Sequence, residues 1–264
     1  MPTPPPLLDS VYSVLNAAKV RLNDAIPSLQ AVSGKLLANN SEFSQQVVNN
    51  AWRRLQEYCA NRGLTILKQE AIIPQFPVAG SADPANFSWL DWTGCNDGQT
   101  TYTTPYLPGD LILPYKVWER ASNLAGAFPR EPLELFVDGL PTFAAQIFNR
   151  CWEWRASRIY IPGALQQVDF RILYARYLGD FLDVGTTQWF QQLVPIPRSQ
   201  DALSLYICAE IAQARSDMNE TDWTEKAEAA ARQLCNRDVS MKQRGTFRKR
   251  SRSGRLEMGS VSSW

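Results

Sequence analysis

The stretch CWEWRASRIYIPGALQQVDFRILYA, residues 151–175, decides the fold class. Cys151 to Arg155 alternates large apolar with polar side chains. Arg158 to Ile161 resumes after Ala156-Ser157, so the two runs read as a hairpin. Pro162-Gly163 supplies the next turn. Val168, Phe170, Ile172 and Tyr174 then alternate with Asp169, Arg171, Leu173 and Ala175, the period-2 pattern of a half-buried strand. Successive residues of a strand face opposite ways, which sets Trp152 and Trp154 against Glu153 and Arg155. The aromatics read as core and sheet surface. An interaction face on Trp152 and Trp154, or a groove that stacks sugars or bases, is the alternative.

Upstream, the same grammar extends to residue 64. Ala71-Ile72-Ile73 is a strand that ends at Pro74. Asn86 to Trp92 has strand composition, with Phe87, Trp89 and Asp91 toward one face. Gly94 to Pro108 is a polar loop, and Leu111 to Arg120, with Pro114, reads as a helical turn followed by a strand. Val137 to Asn149 holds the turn pair Asp138-Gly139. Pro195 and Pro197 close the region. Residues 64–197 are thus expected to form an antiparallel β insertion of five or six strands.

Helical patterns flank the insertion. Asp9 and Ser10 can cap a first helix. Val11, Val14, Leu15, Ala18, Leu22 and Ile26 make its apolar stripe, and Pro27 ends it. Residues 28–40 form a linker. Ser41 is expected to cap a second helix with Glu42 in its first turn. Its stripe is Phe43, Val47, Ala51, Leu55 and Cys59, with Asn49, Asn50, Arg53, Arg54 and Glu57 mostly off it, and Gly63 suits its C′ position. A short connection makes these two helices antiparallel neighbours. Ser199 caps a third helix lined by Leu203, Tyr206, Ile207, Glu210 and Ile211, where alanines raise helix propensity. After a break at 216–220, Thr221 or Asp222 caps a fourth, with Glu225 and Glu228 in its early turns. Its stripe is Trp223, Ala227, Ala230 or Ala231, and Leu234, and it ends near Gly245.

The expected class is α+β. A bundle of about four helices (residues 1–63 and 198–240) carries an inserted antiparallel β domain (64–197) and a basic extended tail (241–264). The tail holds Lys242, Arg244, Arg248, Lys249, Arg250, Arg252 and Arg255 against Glu257 alone, a net of +6. With 27 basic and 26 acidic residues in all, positions 1–240 retain 20 and 25, a net of −5. So polar an arm builds no core of its own; it reads either as a solvated tail or as an arm that orders on an acidic surface or on nucleic acid.

Composition removes several chemistries. With no histidine, Ser-His-Asp, Cys-His and histidine-metal arrangements are absent. There is no phosphate-binding glycine loop of either common type. Five cysteines, at 59, 95, 151, 208 and 235, contain no CxxC pair, which points to thiols in a reducing compartment. Cys59 and Cys208 fall on apolar helical positions and read as core. The opening MPTPPPLLDS lacks the features of a signal peptide, and no apolar run approaches the ~20 residues of a membrane helix. The expectation is a protein neither secreted nor membrane-bound, with no catalytic residue, metal or cofactor.

Several phrases carry a resemblance. They are Val47-Val48-Asn49-Asn50-Ala51-Trp52-Arg53-Arg54-Leu55-Gln56-Glu57-Tyr58, Ile159-Tyr160-Ile161-Pro162-Gly163-Ala164, Asp169-Phe170-Arg171-Ile172-Leu173-Tyr174, and Pro195-Ile196-Pro197 leading to Asp201-Ala202-Leu203 and an alanine-rich helix. In this order they resemble the head-to-tail adaptor proteins of tailed bacteriophages, also called connector or neck proteins. The resemblance implies a structural virion protein, assembled in the host cytoplasm and located at the head-tail junction. It implies a homo-oligomeric ring, commonly of twelve subunits, beneath the capsid portal. The helices would make the ring body, and the β region would face neighbouring subunits or the tail or nozzle protein. DNA would pass through the channel during genome ejection. The C-terminal extension would reach the portal, which assigns portal binding to Arg237, Lys242, Arg244, Phe247, Arg248, Lys249, Arg250, Arg252 and Arg255.

Two other functions fit single features. A nucleic-acid-binding protein would use the basic arm to neutralise phosphates, although its body is acidic and has no recognition motif. A hydrolase would need acids such as Glu153 and Asp169, which strand alternation reads as surface charges.

Overall fold

The computed structural model describes residues 8–22, 43–76, 87–90, 107–122, 126–137, 151–155, 157–162, 168–216 and 220–253. Helix α1 (Val11–Arg21) begins where the Ser10 hydroxyl accepts the Ser13 amide at 3.2 Å. The proposed linker at 28–40, together with Ile26 and Pro27, lies outside the described residues. So do Ser41 and Glu42, most of the 94–108 loop and the Asp138-Gly139 turn. Helix α2 (Gln45–Asn61) takes Ser44 as its cap, not Ser41, with the Ser44 hydroxyl accepting the Val47 amide. Phe43 therefore precedes the helix, at the position where an apolar residue pairs with Val48 one turn on. The buried face is broader than the expected stripe. Phe43, Ala51, Leu55 and Cys59 are inside as expected, Val47 is only partly so, and Val48, Trp52, Gln56 and Ala60 join them. At the other end Gly63 has φ +68°, with Leu64 N–H donating to Cys59 O at 3.1 Å and Gly63 N–H to Ala60 O at 2.9 Å. This pair of bonds closes the helix and demands the left-handed region. Gly63→Ala is expected to cost about 1 kcal/mol in chemical denaturation.

Strands follow: β1 (Lys68–Phe76), β2 (Phe87–Leu90), β3 (Leu111–Ala121), β4 (Glu134–Phe136), β5 (Cys151–Arg155), β6 (Arg158–Pro162) and β7 (Val168–Arg176). The last two helices are α3 (Gln200–Ala214) and α4 (Glu220–Ser253). The described chain is thus mixed α+β. It divides into two compact units, one of helices from residues 1–66 and 180–264, the other of strands from 67–179. The boundary differs from the expected 64–197, because residues 180–197 carry no named strand and join the helices.

In the strand unit, one sheet has the order β1-β7-β3 and the other β2-β6-β5-β4. All pairs are antiparallel except β4 with β5, which is parallel and departs from the expected all-antiparallel region. The β5–β6 hairpin pairs Arg155 with Arg158, as the sequence predicts, and Ser157 turns at φ +60°. Val168, Phe170, Ile172 and Tyr174 of the central strand β7 are fully buried. They share one core with Ala71, Ile73, Val117, Trp152, Ile159 and Ile161, so both sheets contribute to it. Burying each large side chain contributes roughly 1.5–3 kcal/mol. Pro74 and Pro114 do not stop their strands. Both β1 and β3 are sheet edges, and each is irregular in register beside its proline, where a missing N–H is tolerated. Leu111 to Arg120 is accordingly strand throughout, with no helical turn.

In the helical unit, α3 is the central element. Ala202, Leu203, Ser204, Tyr206, Ile207, Cys208, Ala209, Ile211 and Ala212 are all buried, a nearly complete circumference. A helix apolar on every side belongs in the interior. Its alanines admit neighbouring helices as well as favouring the helix. On one side the Cys208 thiol donates to Ala18 O of α1 at 3.5 Å, and Arg21 pairs with Asp201 at 2.7 Å. On another, Arg54 of α2 pairs with Glu210 at 2.6 Å. Helices α1 and α2 are therefore joined through α3, where the sequence predicts that they pair with each other. Ser199 sits at the N-cap of α3, but its hydroxyl donates back to Ile196 O at 2.7 Å and caps nothing. Helix α4 packs along α3, and its buried residues include Ala227, Ala231 and Cys235. Burial pushes the Tyr206 phenol of α3 well above its usual range, and the Glu228 carboxylate of α4 adds to the effect.

Candidate functional site

The sequence-predicted site residues converge on one element. Arg237 is exposed on α4, and Lys242, Arg244, Phe247, Arg248, Lys249, Arg250 and Arg252 lie in the same helix. Arg255 lies outside the described residues. The expected extended tail is therefore corrected as far as Ser253, since the helix runs through Gly245. Met, Lys, Gln and Arg are good helix formers, and one internal glycine costs only about 1 kcal/mol. The helix has 34 residues and so spans about 50 Å. It begins at Glu220, which places Thr221 and Asp222 inside the first turn and not at the cap.

Charge is segregated along α4. Residues 220–231 carry four acids and Lys226, a net of −3. Residues 232–253 carry eight bases and Asp238, a net of +7. Acids at the N-terminus and bases at the C-terminus both complement the helix dipole, which supports the helix through its polar half. Arg237, Arg244, Arg248 and Arg252 recur at intervals that return to one face of a helix.

The start of the basic half is fixed in place. The Asp238 carboxylate accepts both the Thr65 amide at 3.1 Å and the Thr65 hydroxyl at 2.6 Å. One turn earlier, Cys235 lies with its sulfur 3.8 Å from that of Cys59 on α2. This second contact was not legible in the sequence, which separates the two cysteines by 176 positions. Cys59 and Cys208 are core residues as expected, and Cys235 joins them.

A second polar feature also escaped the sequence reading. Asn49, expected off the buried face, is 7% exposed. Its amide donates to Phe181 O at 3.2 Å and its carbonyl oxygen accepts Phe181 N–H at 2.9 Å. Gln45 donates to the same carbonyl at 2.7 Å, and Arg53 pairs with Asp180. With Gln46, Asn50 and Leu182 these side chains line an open cleft of about 340 Å³. The short-range pattern around Asn49 holds no sign of its partner.

The acids considered for hydrolysis are held by other side chains. Asp169 is buried, against the expectation of a surface charge. It accepts Arg120 Nε at 3.1 Å and the Ser122 hydroxyl at 2.9 Å. Glu153 is likewise buried, 3.8 Å from Arg155, whose guanidinium stacks 4.5 Å over Tyr160. Trp152 is buried and Trp154 is partly covered, so the aromatic face reads as core. Among the described residues no group of three or more Cys, Asp or Glu side chains is placed to hold a metal ion. None of the described helices is long and apolar enough to cross a membrane. No family model matches the chain, and a search of curated proteins finds no match.

Proposed function

We propose that this chain is a non-enzymatic structural virion protein, a head-to-tail adaptor that forms a ring beneath the capsid portal. The ring, commonly of twelve subunits, joins the portal to the tail or nozzle protein and continues the DNA channel. The observation that carries the reading furthest is α4: a single helix with a net charge of +7 over residues 232–253, fixed to the rest of its unit at Cys235 and Asp238. The helix spaces its arginines at regular intervals along the backbone, and arginine suits bidentate pairing with carboxylates on a partner. In this reading α1 to α4 act as one bundle that makes the ring body. Large apolar side chains on that unit support a subunit interface: Val20 is 76% exposed, Val184 65%, Leu182 56% and Leu193 55%. A ring needs two different patches that meet head to tail.

The same +7 segment favours one other reading, phosphate neutralisation on DNA. Native mass spectrometry separates the two. The full chain and a chain ended at Val239, which keeps Asp238, are each mixed with the portal of the same virion or with duplex DNA. The adaptor reading expects a closed oligomer on the portal with the full chain and none with the shortened one. No portal complex with the full chain, alongside DNA binding whose affinity falls steeply with salt, overturns it in favour of the DNA-binding arm.

A further inference from the structure

The thiols of Cys59 on α2 and Cys235 on α4 form a pair whose chemistry neither the adaptor reading nor the DNA-binding reading uses. Their sulfurs are 3.8 Å apart, in mutual hydrogen-bonding contact, and both residues are buried. The other described cysteines differ. Cys208 donates to a backbone carbonyl at 3.5 Å, and Cys151 lies in the strand unit, where burial raises its thiol with a further contribution from Glu134.

We propose that Cys59 and Cys235 are a redox modification site that closes to a reversible disulfide between α2 and α4. A disulfide needs its sulfurs about 2.05 Å apart, so each side chain has under 1 Å to move. The two ends lie on adjacent packed helices and not on splayed loops, so closure needs side-chain rotation and a small shift of the helices. The two thiols affect each other's ionisation. The hydrogen bond between them, then burial, raises Cys59, so it holds its proton. The same contact lowers Cys235 against the opposing effect of burial, and Arg62 favours its thiolate while Asp238 opposes it. Written with Cys235 as the nucleophile, Cys59 is the resolving thiol, and exchanging the roles gives the same product.

With hydrogen peroxide as oxidant the step balances. The Cys235 thiolate attacks one peroxide oxygen and the O–O bond breaks, giving a sulfenic acid and hydroxide. The hydroxide takes the Cys59 proton to form water. The Cys59 thiolate then attacks the Cys235 sulfur, the S–S bond forms and hydroxide leaves. Both sulfurs are oxidised and the peroxide is reduced. The bond would fasten α4 to α2 within its basic half, two residues before Arg237.

The test uses the full chain treated with hydrogen peroxide, then alkylated under denaturing conditions and mapped by mass spectrometry. The expected result is one intramolecular cross-link joining the peptides of Cys59 and Cys235, with the mass lowered by two hydrogens. It disappears with dithiothreitol, is lost in Cys59→Ser and in Cys235→Ser, and is kept in Cys208→Ser. Thermal unfolding of the oxidised chain is expected roughly 5 °C or more above the reduced chain, because the bond closes a long loop. The proposal is overturned if both cysteines remain fully alkylated in treated wild-type protein, or if the cross-link that forms joins other cysteines. The wild-type map decides even where a serine variant fails to fold.

Discussion

Trp52→Ala is expected to lower the stability of the helical unit by about 3–5 kcal/mol. Trp52 is fully buried on α2, and its ring centroid lies 5.3 Å from that of Phe181 at a tilt of 40°. Truncation removes the largest side chain of that face and leaves a cavity that the rigid neighbours fill only in part. Lost transfer energy and lost dispersion contacts add. A tilted aromatic pair contributes a further 0.5–1.5 kcal/mol or so, which Trp52→Phe would largely retain. The alanine variant should therefore show a much lower urea midpoint with unchanged slope, and the phenylalanine variant an intermediate one. A loss below about 1 kcal/mol for Trp52→Ala would mean that α2 does not bury this face as described.

The segment Phe181 to Trp189 gains its place from α2, and this explains why its assignment was hard to read. Its residues 182–188 are exposed, and it has neither helical nor strand periodicity. The prolines at 195 and 197 drew the boundary of the β region too far downstream. What holds the segment is non-local: Trp52 on Phe181, the Asn49 amide on its backbone, and Arg53 on Asp180. The core of β7 was legible because burial on one face of a strand has the same period as the side chains. Asp169 broke that rule because Arg120 and Ser122 of the neighbouring chain segment bond to it, and a single-strand pattern does not register cross-strand partners. Glu153 broke it too, although its partner Arg155 lies two residues on in the same strand. Pro74 and Pro114 misled for the opposite reason. The local rule against proline in strands lapses at a sheet edge, and edge position is fixed by distant pairing.

The basic segment shows the same division. Its charge was plain in the sequence, whereas its helicity was hidden by reading polarity as a lack of structure. Propensity and dipole both favour continuation once α4 is nucleated on α3, because adding residues to an existing helix costs far less than starting one. The thiol pair and the Asp238 cap that fix the segment's base depend on contacts with residues 59 and 65, and no spacing rule reaches across the β unit.

Asn49→Ala is expected to cost about 2–3 kcal/mol, most of it from a single donor. Asn49 accepts the Phe181 N–H at 2.9 Å and donates to the Phe181 carbonyl at 3.2 Å, so it acts on that residue as a neighbouring strand would. The alanine variant leaves the carbonyl with the Gln45 amide at 2.7 Å but strips the N–H of its acceptor in a buried setting. An orphaned donor forfeits its full desolvation cost, which is why the loss should exceed that of an ordinary exposed hydrogen bond. Asn49→Asp separates the two bonds. The carboxylate still accepts the N–H, yet it faces the carbonyl oxygen with negative charge and no donor. Burial and that carbonyl would raise its folded pKa above the unfolded value. The protonated acid can donate to the carbonyl, so the variant's stability relative to wild type is highest at low pH and declines as pH rises through the raised value. Urea titrations of both proteins across pH 4 to 8, compared at each pH, read this directly. A difference that stays flat, or that shrinks as pH rises, would mean that Asn49 does not clasp the Phe181 backbone and that the segment is held to α2 by Trp52, Gln45 and Arg53.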